Sequence, residues 1–83
     1  MTKQEFIKKY CWAPESAADC HQITWDLMEE ITETLQDADN AVDLETSIGA
    51  LLYKIDILLE VIDKGTPDYT FLKEVMSKLE EIE

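Results

Sequence analysis

PESAADCHQITWDLMEEITETLQDADN, residues 14–40, holds eight acids (Glu15, Asp19, Asp26, Glu29, Glu30, Glu33, Asp37 and Asp39) and neither Lys nor Arg. On an α-helix turning about 100° per residue, with Asp26 as origin, Glu15, Asp19, Glu33 and Asp37 fall within roughly 20° of it, and Glu29 and Glu30 within roughly 60°. The opposite side carries Cys20, Thr24, Leu27, Met28, Ile31, Leu35 and Ala38, with Ile23 and Trp25 on the flanks. One amphipathic helix accounts for both patterns. Pro14 suits a first helical position, and Ser16 with Asp19 three residues on suits a cap, so the helix is expected to begin at one or the other.

Downstream, the polar run Asp37 to Asn40 breaks the chain, and Asn40 or Asp43 is expected to cap a third helix reaching about Lys64. Leu44, Ile48, Leu51, Ile55, Leu58 and Ile62 recur at heptad spacing, with Leu52 and Leu59 widening the seam. Ala50, Tyr53, Ile57 and Val61 form a second apolar ridge on the other side. A helix apolar nearly all round needs cover on two faces, and in so short a chain this points to a homodimer through that ridge. Gly65 is expected to end the helix in a left-handed conformation. Thr66-Pro67-Asp68 then reads as cap, first position and acidic second position of a fourth helix, with Tyr69, Leu72, Val75, Met76, Leu79 and Ile82 facing the core.

Upstream, Thr2 and Glu5 have capping-box spacing for a short helix from Lys3 to Tyr10, whose Phe6, Ile7 and Tyr10 form an apolar side. Lys3, Lys8 and Lys9 make this the only basic part of the molecule, able to dock on the acidic helix. The expected fold class is therefore all-α: one domain over residues 1–83, a small four-helix bundle with a short first helix.

Composition narrows function. The 83 residues carry a formal net charge of −12 with seven basic residues, all Lys. Without Arg there is no bidentate donor for phosphate, and so negative a chain is not expected to bind nucleic acid directly. No run approaches the roughly 20 apolar residues that span a bilayer. Two cysteines, Cys11 and Cys20, and no signal-peptide core argue for a reduced, cytoplasmic protein. A domain this small has a stability of about 4–12 kcal/mol, which leaves little to spend on strained catalytic geometry.

The acid line from Glu15 to Asp37 spans about 33 Å at 1.5 Å per residue, close to one turn of duplex at roughly 34–36 Å. It carries seven carboxylates where one DNA strand holds about ten phosphates. Ordinary solvent faces mix signs for pairing at four-residue spacing, and this one does not. The leading expectation is a non-enzymatic interaction protein that needs no cofactor. Glu15, Asp19, Asp26, Glu29, Glu30, Glu33 and Asp37 face a basic, nucleic-acid-binding partner, and Ile23 or Trp25 supplies apolar contact. Such a surface suits an inhibitor that mimics nucleic acid, of the kind phage or mobile elements direct at host or defence nucleases. The alternative is an assembly or regulatory subunit using its apolar third helix, with the acids serving solubility.

Two further constellations in the sequence bear on chemistry. Cys11, Cys20 and His21 are three possible metal ligands without paired spacing. Glu29-Glu30-Ile31-Thr32-Glu33 with Glu60-Val61-Ile62-Asp63 resembles the metal-binding signature of the all-α nucleoside-triphosphate pyrophosphatases of the MazG and dimeric dUTPase type. That resemblance implies Mg²⁺-dependent nucleotide hydrolysis. Helices meeting through their apolar faces would turn Glu30 and Glu33 away from Glu60 and Asp63.

Overall fold

A computed structural model describes residues 1–11 and 17–82, and among them every regular element is a helix. Helix α1 (Lys3–Phe6) opens on the expected capping box: Thr2 Oγ1 accepts from the Glu5 amide at 3.2 Å, and Glu5 Oε1 accepts from the Thr2 amide at 3.4 Å. It runs directly into a π-helical turn, Ile7–Cys11. Phe6, Ile7 and Tyr10 are buried, and the rings of Phe6 and Tyr10 sit 5.1 Å apart. The basic segment does dock on the acidic helix. Lys3 Nζ donates to the Ala38 carbonyl at 2.6 Å, where α2 (Gln22–Asp37) ends with no basic residue of its own in its last turn. A cation there satisfies an orphan carbonyl and complements the helix dipole.

The start of α2 differs from the sequence expectation. Pro14 and Ser16 lie outside the described residues, and Ala17 to Asp19 form a tight turn closed by the Cys20 amide on the Ala17 carbonyl at 3.0 Å. The helix begins only at Gln22, with extended backbone at His21. The reason is a long-range hydrogen bond: the His21 amide donates to Asp68 Oδ2 at 2.8 Å. His21 Nδ1 lies 2.9 Å from Asp68 Oδ1, and the Thr24 hydroxyl donates to Oδ2. Asp68 is 2% exposed, so its carboxylate needs these donors. Cys20, expected on the core face of the helix, precedes it and is half-buried. Thr24, Met28, Ile31, Leu35 and Ala38 are buried as their spacing requires.

Asn40 caps α3 (Ala41–Val61) by accepting from the Asp43 amide at 2.9 Å. Leu51, Ile55 and Leu59 are its most buried residues, flanked by half-buried Leu44, Ile48, Leu52, Leu58 and Ile62, which is the expected seam. The helix stops at Val61, short of Lys64, and Gly65 is not in the left-handed region. Asp63 makes the turn instead: its carboxylate accepts from the Gly65 amide at 2.9 Å, and its carbonyl from the Thr66 amide at 3.1 Å and the Thr66 hydroxyl at 2.7 Å. Helix α4 (Pro67–Leu79) follows, with Thr66 as N-cap and Pro67 in the first turn. Phe71, Leu72, Val75 and Leu79 join Phe6, Ile31, Leu35, Leu51 and Ile55 in the core, and α3 packs against both α2 and α4. Among the described residues no helix is long and apolar enough to cross a membrane.

Burial by itself would raise the Asp68 pKa. Hydrogen bonds from Thr24 and from the His21 side chain and amide, with the His21 charge, more than offset it and bring the pKa down to about 2. A folded-state pKa below the unfolded value stabilises the fold above the unfolded pKa, and the contribution is lost as pH falls through the folded one. For Asp68 it is complete above about pH 4 and fades toward pH 2. Asp68→Asn is expected to lower urea-unfolding stability at pH 7 by about 2 kcal/mol. The gap between variant and parent should narrow as pH falls below about 4 and close only toward pH 2.

Candidate partner-binding face

Asp26, Glu29, Glu30, Glu33 and Asp37 are all exposed along the solvent side of α2. The expected line is shorter than its sequence reading: Glu15 lies outside the described residues, and Asp19 sits in the turn before the helix. What remains spans eleven residues, about 16 Å at 1.5 Å per residue. One DNA strand carries about five phosphates over that length, one per 3.4 Å or so. The shortened line therefore has nearly the charge density of a single strand, but over half a duplex turn rather than a whole one.

Neutralisation within the chain is slight. Lys54 on α3 pairs with Glu30 at 2.5 Å, both side chains about half exposed (51% and 47%). Asp26 accepts from the Gln22 side-chain amide at 2.9 Å. Among the described residues Asp26, Glu29, Glu33 and Asp37 have no cation within salt-bridge distance.

A groove of about 440 Å³ runs between α2 and α3. Ile23, Leu27 and Leu58 give it apolar lining, and Asp26, Glu29, Glu30, Glu33 and Lys54 give it charge. Ile23 is 55% exposed and stands beside the acids. Trp25 does not share that groove: it is half-buried in a separate one with Cys11, Met28 and Thr32, on the other side of Glu29 and Glu33, which line both.

The ridge on α3 is open. Tyr53 is 67%, Ile57 46% and Val61 75% exposed, Ala50 is exposed too, and a Cβ added at the neighbouring Gly49 would meet nothing within 4 Å. At 100° per residue Lys54, Val61, Ala50 and Ile57 follow one another within about 60° of arc, with Tyr53 about 40° beyond. Lys54 lines the groove, so the ridge begins where the groove ends. Two surfaces that the sequence suggests separately are one continuous face.

The remaining chemistry is dispersed. Among the described residues no three or more His, Cys, Asp or Glu side chains are grouped to hold a metal ion, so Glu29, Glu30 and Glu33 do not converge with Glu60 and Asp63, nor Cys11 with Cys20 and His21. Burial raises the Cys11 thiol pKa against a hydrogen bond with Thr32 that lowers it; burial and the charges of Asp68 and Asp19 raise that of Cys20. Neither is an activated thiolate. The contact that sequence reasoning missed is His21 with Asp68, an exposed imidazole on a buried carboxylate (73% and 3% exposed side chains). Its only sequence signal is that the chain's single His precedes a helix and Asp68 opens another. Comparison with protein-family models, curated proteins and solved structures finds no match.

Repulsion along α2 makes a direct test. Lys at 26 and 33 would turn the like-charge neighbours 26/29, 26/30, 29/33, 30/33 and 33/37 into opposite-charge pairs, leaving Glu30 with Lys54. D26K/E33K is expected to be more stable than the parent in low-salt urea unfolding, on the order of 1–2 kcal/mol for five such pairs. The gain should shrink as salt screens it.

Proposed function

We propose that the protein is a non-enzymatic acidic interaction protein whose α2 presents carboxylates to the basic surface of a nucleic-acid-binding partner. It acts there as an inhibitor in the place of phosphates. The observation that carries this is the exposed, mostly unpaired set Asp26, Glu29, Glu33 and Asp37 on one side of one helix. Fields of this kind speed association with a basic partner, and binding relieves the repulsion the helix bears alone. The shortened line fits a site reading about five phosphates of one strand better than a groove that grips a whole turn. Free thiols at Cys11 and Cys20 are in keeping with a cytoplasmic site of action.

Captured on immobilised protein from host lysate, the partner should be basic and should elute as salt rises from about 50 to 300 mM. A short oligonucleotide should displace it, and D26K/E33K should not retain it. Retention indifferent to both salt and charge reversal would remove the proposal.

A second reading is favoured by the exposure of Tyr53, Ile57 and Val61: a helical-bundle assembly subunit that pairs as a homodimer through these residues and Ala50. Light scattering would then give twice the chain mass for the parent and a monomer for Y53D/I57D. A monomeric parent across the accessible concentration range would count against it.

A further inference from the structure

The exposed ridge of α3 is bordered by acids on both sides. Toward α2 stand Asp26, Glu30 and Glu33, and beyond Tyr53 on the helix surface come Glu60 and Asp56, both exposed. Lys54, the one cation of the face among the described residues, is already held by Glu30. We propose that the combined α2–α3 face takes a basic amphipathic α-helix of a partner protein, laid along the groove with its apolar stripe on Ile23, Leu58, Ile57 and Val61 and its Lys or Arg residues against the two acidic rims. This deepens the proposed function and rests on it, since α2 supplies one rim.

Charge decides between occupants. A second copy of this chain, itself at −12, would bring the same acids against one another around a fully apolar contact. A polynucleotide meets repulsion from every side. A basic segment without an apolar stripe pairs with the acids but leaves Ile57 and Val61 in water, at 46% and 75% exposure. An apolar helix flanked by cations answers both features, the helix-in-groove mode of recognition. Helix α3 is about 31 Å long, room for an occupant of four turns or so.

The test uses the whole chain and two fluorescein-labelled 18-residue peptides of Leu and Lys. In one the leucines follow i, i+3, i+4 spacing; the other has the same composition with leucines spread around the helix. Anisotropy titrations at 150 mM NaCl should show the patterned peptide binding at least tenfold tighter. I57D/V61D, with its helical circular dichroism intact, should bind both peptides equally, the preference for the patterned one lost. D26K/E33K should weaken both. Equal affinity of the parent for the two peptides, or a preference that survives I57D/V61D, overturns helix docking while leaving the acidic face standing. Indifference of both peptides to D26K/E33K overturns the acidic face itself. A parent dimer that I57D/V61D dissociates assigns the ridge to a second copy and also overturns helix docking.

Discussion

The carboxylate of Asp68 sits almost out of contact with water and accepts from the His21 amide and the Thr24 hydroxyl, with the His21 imidazole at 2.9 Å. A buried carboxylate without such partners would cost several kcal/mol, a large share of what a domain of this size has in hand. The three donors belong to the start of α2 and the acceptor to the start of α4, so the pairing joins elements more than forty residues apart in the chain. Because the His21 amide is committed to Asp68, the helix begins at Gln22. The same contact thus sets where the acidic face begins: Asp26 is in its second turn, and Asp19 is outside it.

What α2 loses in repulsion it recovers through its other side and its ends. Ile31 and Leu35 are fully buried, and Lys3 reaches across from α1 to the Ala38 carbonyl, supplying the cation that the helix lacks. Among the described residues only Lys54 answers these acids directly. That division of labour, apolar packing holding the helix while its charge stays unpaired, is what a surface for a basic partner requires, and it separates stability from binding. Charge reversal that strengthens the fold and abolishes recognition is the signature of such a face.

Most of the helical architecture is legible in the residues because it rests on local chemistry. Thr2 with Glu5, Asn40 with the Asp43 amide and Thr66 with the Tyr69 amide are caps read from neighbours three residues apart. The seam from Leu44 to Ile62 is periodic, and so is the ridge that α3 leaves in solvent. The main failure has a long-range cause. Asp68 reads as an acid favouring a helix dipole, and nothing near it in sequence tells that it is buried against His21 and Thr24. Without that long-range contact, the spacing of Asp19 and Cys20 fits the helix they stand outside. Gly65 misleads for a separate, local reason: Asp63, two residues earlier, makes the turn with its own carboxylate and carbonyl. The neighbourhood of groove and ridge depends on how α2 meets α3, which periodicity in either helix alone does not contain.

The most direct measurement is a pH titration of the Asp68 side-chain carboxyl by ¹³C NMR, read together with exchange protection of the His21 amide. A carboxylate buried among its donors titrates at about 2, and the amide exchanges only with global opening. A midpoint near 3.9, the ordinary Asp value, with a freely exchanging His21 amide, would contradict the start of α2 at Gln22 and with it the exclusion of Asp19 from the acidic face.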